Sequence, residues 1–210
     1  MTAFDRDLDY RHDVVYFGRV IHDGALPWRG KIYRLTMGAG GATAKFGTVT
    51  SPTQWGIASG SARVPTEMLD TFVSGAEMGP VATAPSVTMD DAANVWVFAG
   101  SGRYYSGTDK TDVSTQYFVG LKDSVLNAGC NQSAGALNCM DNDLVDVSNA
   151  TVCVVGVGDC GQASGTNQVS GVTGATTFTG LIGLVQSKDG WVTKLVEPGS
   201  SGPPVILPAA

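Results

Sequence analysis

Val95-Trp-Val-Phe-Ala-Gly100 is a β-branched and aromatic run that ends on glycine, and after a polar loop comes Gln116-Tyr-Phe-Val-Gly-Leu121, aromatic and alternating. The first reads as a buried strand and the second as its partner. Working outward, Pro85-Ser-Val-Thr-Met89 reads as a strand and Asp90-Asp-Ala-Ala-Asn94 as the turn that returns it. Upstream, Val14-Val-Tyr-Phe17 is a short strand stopped by Gly18, and Lys31-Ile-Tyr-Arg-Leu-Thr-Met37 alternates with period two. Residues 38–62 read as loop with a weak strand, while Arg63 to Phe72 fits either a short helix or a strand edge. Downstream, Thr179 to Gln186 reads as a strand, Lys188-Asp189-Gly190 as a hairpin turn, and Trp191-Val-Thr-Lys-Leu-Val196 as the return.

One unit thus recurs along the chain: an apolar strand ending in glycine, a loop of variable length, then an aromatic strand. Repetition of small antiparallel sheets is how propellers build a core with few exposed edges; an ordinary sandwich with similar-looking strands is the plainer reading. The sequence predicts an all-β chain, an incomplete β-propeller of several antiparallel blades with long Gly/Ser-rich loops over residues 1–197. The Pro/Gly-rich tail, 198–210, cannot extend a central strand.

Composition agrees. The 210 residues make one domain, and 28 Gly with 9 Pro suit short strands joined by turns better than long helices. Charged residues are 15% of the chain and the net charge is −6, which argues against nucleic acid and against adhesion to anionic lipid. No run of apolar residues is long enough for a helical membrane span, and the N-terminus lacks the apolar stretch of a signal peptide. The four cysteines, Cys130, Cys139, Cys153 and Cys160, sit among Gly, Asn, Ser and Asp without metal-type spacing. Local disulfides Cys130–Cys139 and Cys153–Cys160 need only short loops, other connectivities stay open, and reduced thiols are the alternative. A disulfide-bearing chain without an export signal reads as a piece of something longer.

The sharpest chemical signal is Asp5-Arg-Asp7-Leu-Asp9-Tyr-Arg-His-Asp13. Its carboxylates fall at loop positions 1, 3, 5 and 9, and the carbonyl of Arg11 at position 7. Ca²⁺ takes six to eight oxygens at about 2.3–2.6 Å, and alternate residues of a tight loop turn toward one centre. Two carboxylates about 4 Å apart repel by roughly 1 kcal/mol in water and about 4 kcal/mol at an effective dielectric of 20, so convergence asks for a cation. Tyr10 and Tyr16 stand where an EF-hand has Gly and Glu, so this is a different, shorter calcium loop directly before a strand. A solvated acidic terminus whose aspartates never meet is the bland alternative. Asp141-Asn-Asp143-Leu-Val-Asp146 lacks the alternation and is the weaker metal candidate.

Catalytic motifs are missing. His12 and His22 are the two histidines and read as solvated; no G-x-S-x-G, H-E-x-x-H or phosphate-loop pattern occurs. Arg103-Tyr-Tyr105 reads either as pocket lining or, more plainly, as strand aromatics packed in a blade. No catalytic residue and no organic cofactor is expected.

These stretches resemble a family. Asp-x-Asp-x-Asp-x-x-x-Asp followed by Val-Val-Tyr-Phe-Gly and Gly-Lys-Ile-Tyr-Arg-Leu is similar to the C-terminal β-propeller of the PilC/PilY type IV pilus tip proteins. Trp96-Val-Phe-Ala-Gly-Ser-Gly-Arg-Tyr-Tyr105 with Tyr117-Phe-Val-Gly-Leu-Lys-Asp123 is the more specific part, and Gly190-Trp191 through Leu195 a weaker one. The resemblance implies a modified propeller, not an enzyme, that supports pilus assembly and adhesion. It implies a Ca²⁺ held by Asp5, Asp7, Asp9, Arg11 (through its carbonyl) and Asp13, with Tyr10 replacing the usual glycine. It further implies pilins or minor pilins as partners, and a place at the pilus tip or cell surface reached through the periplasm. The chain then reads as the C-terminal part of a larger protein. Two other readings stand beside it: a surface carbohydrate- or protein-binding propeller unrelated to pili, and a propeller-scaffold enzyme, quinoprotein-like or a glycoside hydrolase.

Overall fold

The computed structural model describes residues 1–22, 24, 28–37, 51–59, 61–69, 77–111, 114–123, 144–153 and 168–195. Its strands are β1 (Thr2–Phe4), β2 (Val14–Ile21), β3 (Arg29–Thr36), β4 (Ile57–Ser59), β5 (Ala62–Val64), β6 (Thr66–Leu69) and β7 (Ser86–Met89). They continue as β8 (Val95–Gly100), β9 (Gln116–Lys122), β10 (Leu144–Asp146), β11 (Thr151–Cys153), β12 (Gln168–Ser170) and β13 (Gly190–Leu195). One α-helix, α1 (Phe178–Ser187), precedes β13. Among the described residues the character is all-β, with that helix and two short 3₁₀ segments, Pro52–Gln54 and Gly107–Thr111, as the exceptions.

Two sheets carry the fold. The first has order β1-β2-β3-β6 and is antiparallel throughout; the second has order β10-β13-β9-β8-β7, with β10 parallel to β13 and the rest antiparallel. Two ribbons, β4-β5 and β11-β12, stand apart. Among the described residues no closed ring of blades is formed, and the parallel edge β10 departs from a purely antiparallel blade.

Both sheets contribute to one core. Val14 and Tyr16 of β2, Ile32 of β3 and Met68 and Leu69 of β6 pack with Val95, Val97, Val119 and Leu121 of β8 and β9. Period-two alternation accounts for Val14 with Tyr16, Val95 with Val97 and Val119 with Leu121, because every second side chain of a strand shares a face; Met68 and Leu69 are consecutive, at the point where the register of β3 with β6 shifts. A hydrogen-bonded ion pair crosses between the sheets inside this core. Arg34 of β3, 1% exposed, donates to Asp123 just past β9, 0% exposed, and the Tyr16 hydroxyl donates to the other Asp123 oxygen at 2.6 Å. Burial, and then the Asp123 carboxylate beside it, push the Tyr16 hydroxyl well above its ordinary pKa, so it stays protonated as a donor.

The Asp90-Asp-Ala-Ala-Asn94 turn forms as expected. Asp90 Oδ1 accepts from the N–H groups of Ala92 and Asn94 at 2.9 and 2.8 Å; Oδ2 accepts from Asn94 Nδ2 and Trp96 Nε1, both at 2.9 Å. Partial burial raises the Asp90 pKa, but the bonds from Trp96 and Asn94 outweigh it and hold the group below its ordinary value of 3.8. A depressed carboxylate contributes stability that is complete above 3.8 and is lost as the pH falls through the folded value. The stability difference between wild type and Asp90→Ala, from urea unfolding, is therefore expected to stay constant across the neutral range and to shrink below 3.8. A difference that grows on acidification contradicts that assignment.

Three local expectations are corrected. Thr179 to Gln186 is helical: Phe178, Leu181, Ile182 and Val185 recur at helical spacing, and the Thr177 side chain accepts from Gly180 N at 3.1 Å as an N-cap. Lys188-Asp189-Gly190 accordingly joins α1 to β13 rather than two strands. β2 does not stop at Gly18 but runs on to Ile21, because its pairing with β3 continues from Gly18 opposite Ile32 to Ile21 opposite Arg29; the glycine leaves room for Val81. Finally, Tyr104 and Tyr105 are 68% and 71% exposed, not packed in a strand; Arg103 lies over the Trp28 ring and pairs with Asp109. Cys153 is disulfide-bonded; Cys130, Cys139 and Cys160 lie outside the described residues, as do the 198–210 tail and Asp141 and Asp143.

Candidate metal centre

Residues 5–13 link β1 to β2, so both ends of the acidic loop are fixed by adjacent antiparallel strands. Asp13 N donates to Phe4 O at 2.9 Å, and Asp13 O accepts from Met37 N at 2.8 Å, which extends the sheet by one row. The loop between these anchors curls on its own carboxylates. Asp5 Oδ1 accepts from Leu8 N and Asp5 Oδ2 from Tyr10 N, each at 2.8 Å. Asp13 Oδ2 accepts from Arg6 N at 2.7 Å, and Asp9 Oδ1 from Arg11 N at 2.9 Å.

Leu8 and Tyr10 take left-handed backbone conformations, φ 60° and 69°. Bulky residues are uncommon there. The curl puts both N–H groups onto Asp5, which offsets the strain, and it leaves the Tyr10 side chain 98% exposed. Tyr10 thus holds the backbone shape that glycine takes more easily at the same loop position.

The curl gathers Asp5, Asp7 and Asp13: one carboxylate oxygen from each lies within 4.8 Å of the others. Asp9 stands outside this trio, with its carboxylate turned to the Arg11 N–H. Asp5 is half-buried, Asp7 exposed and Asp13 buried, so the trio forms a shallow cup open to solvent on one side. Burial raises the Asp13 pKa; the Arg6 N–H pulls it back, and the charges of Asp7, Asp5 and Asp9 push it up again. A divalent cation at this cup would reverse the sign of that repulsion and is offered hard oxygen ligands of the type Ca²⁺ and Mg²⁺ prefer.

Neither histidine belongs to this trio, nor does Asp146. His12 is exposed, and His22 stacks on Trp28 with ring centroids 4.2 Å apart. Asp146 accepts from Ser148 N at 2.9 Å. The buried group that sequence reasoning missed is Asp123 with Arg34, whose only sequence signal is a charged residue on the inward face of an alternating strand. No protein-family model matches the chain, and no curated protein or solved structure does either.

Proposed function

We propose that this chain is a calcium-binding, non-enzymatic piece of a type IV pilus tip, assembly and adhesion protein of the PilC/PilY kind. On this reading it acts outside the cell with pilins or minor pilins as partners, and its two core-sharing sheets are neighbouring blades of a partial propeller. The observation that carries the reading is the convergence of Asp5, Asp7 and Asp13 in a loop spliced between two paired strands. An ion there ties β1, the start of β2 and the end of β3 together through Asp13, and so sets the surface around the exposed Leu8 and Tyr10.

Binding to the folded state alone stabilises by RT ln(1 + [L]/Kd). With a Kd of about 10⁻⁴–10⁻³ M, as in extracellular modules, and Ca²⁺ near 10 mM, the gain is about 1.4–2.7 kcal/mol. Calorimetry should show this as a rise in Tm on adding Ca²⁺ and its loss with EDTA. Replacing Asp5, Asp7 and Asp9 together by Ala should abolish the rise, and Asp7→Asn alone should weaken it, because Asp7 is exposed and its loss leaves the fold intact. A wild-type protein with no calcium shift defeats the metal reading. Co-purification with pilins from sheared surface filaments tests the pilus reading separately.

A further inference from the structure

We infer that one internal water molecule is bound between the two sheets, held by the Arg34 Nε–H and the Thr36 hydroxyl. Both side chains lie on the core face of β3, two residues apart, and are 1% and 2% exposed. Neither Arg34 Nε nor Thr36 Oγ1 has a hydrogen-bond partner within the protein. A buried donor left bare gives up its hydration for nothing, and folded proteins leave few such groups. Two of them side by side on one strand mark a site for a shared guest. Internal waters are held by this kind of otherwise unanswered polar group.

The other two nitrogens of the guanidinium are engaged: Nη1 donates to Asp123, and Nη2 to Oγ1 of Thr66, the cross-strand neighbour of Arg34 on β6. Nε is the nitrogen left over. On the other side, Tyr16 and Val14 of β2 stand opposite Arg34 and Thr36. The Tyr16 hydroxyl donates to Asp123 and Val14 is apolar, so neither answers the two groups. Same-face neighbours on a strand are about 6.4–6.8 Å apart at Cα. A water making two hydrogen bonds of about 2.9 Å bridges a gap of that size.

The donor set selects water over an ion. Nε–H only donates, whereas a hydroxyl both donates and accepts, and water complements the two at once. An anion would lie beside the Asp123 carboxylate, which already neutralises the same guanidinium, and a cation would meet the guanidinium itself. With the water in place the polar network runs from Asp123 on the second sheet through Arg34 to Thr36 at the end of β3. There the Thr36 carbonyl accepts from Gly56 N, and Met37 N donates to Asp13 O, each at 2.8 Å. One ordered molecule thereby ties the inter-sheet ion pair to the last residue of β3 without opening the core to bulk solvent.

A crystal structure of the full chain tests the site. One water is expected about 2.7–3.2 Å from both Arg34 Nε and Thr36 Oγ1. Thr36→Val, which keeps the shape and removes the hydroxyl, gives the energetic sign. If the hydroxyl holds water, the change strips that water of a partner and lowers the urea midpoint at unchanged slope. If the hydroxyl stands bare, the change relieves it and the midpoint holds or rises. Three results overturn the proposal: no density bonded to both atoms, a density that bromide replaces with an anomalous peak, or a Thr36→Val midpoint at or above wild type. Should Thr36→Val fail to fold, the wild-type density alone decides, and bromide separates water from a halide in that same crystal.

Discussion

Asp123→Ala should destabilise the protein by about 3–5 kcal/mol, the range for breaking a buried ion pair from one side, out of a total stability of about 5–15 kcal/mol for an ordinary domain. The change strands the Arg34 guanidinium, 1% exposed, whose remaining partners include Thr66 Oγ1 at 3.4 Å. It also removes the acceptor from the Tyr16 hydroxyl. Both losses fall where the two sheets meet, so the cost appears as cooperative unfolding rather than local fraying. The pair itself need not stabilise: desolvating both charges offsets much of their attraction. Replacing both partners, Arg34→Met with Asp123→Leu, should therefore recover the part owed to the stranded guanidinium but not the part owed to the buried Tyr16 hydroxyl, which still lacks its acceptor, and Asp123→Asn should cost less than Asp123→Ala. Urea denaturation read by fluorescence and circular dichroism measures all three. A single-variant cost below about 1 kcal/mol would mean that water reaches the pair and that it behaves as a surface bridge.

The same pair marks how far the sequence could be read. β8, β9 and the turn at Asp90 follow from residue type alone, since consecutive Val, Trp and Phe before Gly100 leave little choice. β3 was legible as a strand from its alternation, but which face turns inward was not. Gly30, Ile32, Arg34 and Thr36 face the core while Tyr33 and Leu35 are half-buried. That choice is set by Asp123, 89 positions away in the chain, and no local pattern reports it. α1 went unread for another reason. A run of Leu, Ile and Val between glycines satisfies strand and helix templates alike over so few residues, and the Thr177 cap with helical spacing decides it. In the acidic loop, alternation correctly marks the carboxylates that turn together at Asp5 and Asp7. It does not report that Asp9 lies outside the trio, and backbone bonding does not explain the difference, since Asp5 and Asp13 accept backbone N–H bonds as Asp9 does.

Gly30→Ala should cost at or above the upper end of the about 1–3 kcal/mol typical of overpacking. A Cβ at Gly30 would stand 2.2 Å from Gly79 O and 2.6 Å from Val81 N. Both are backbone atoms, so no rotamer change relieves the overlap, and residues 78–81 must move. That segment is the strap between the sheets. Gly30 N donates to Met78 O at 2.8 Å on the first sheet, and Gly102 N donates to Pro80 O at 2.7 Å on the second. Met78 and Val81 are 0% and 2% exposed and belong to the shared core. Pushing the strap away from β3 therefore drags two core side chains and stretches hydrogen bonds on both sides at once. Gly107→Ala supplies the control, because a Cβ there meets nothing within 4 Å. The expected result is a clear drop in Tm for Gly30→Ala and almost none for Gly107→Ala; equal midpoints would show that the strap yields freely and does not join the sheets. Gly18 sets the same limit from the neighbouring strand, where a Cβ would stand 2.6 Å from Val81 O. Two glycines on adjacent strands, Gly18 beneath Val81 and Gly30 beneath Gly79 and Val81, are the space that lets the sheets close on one core.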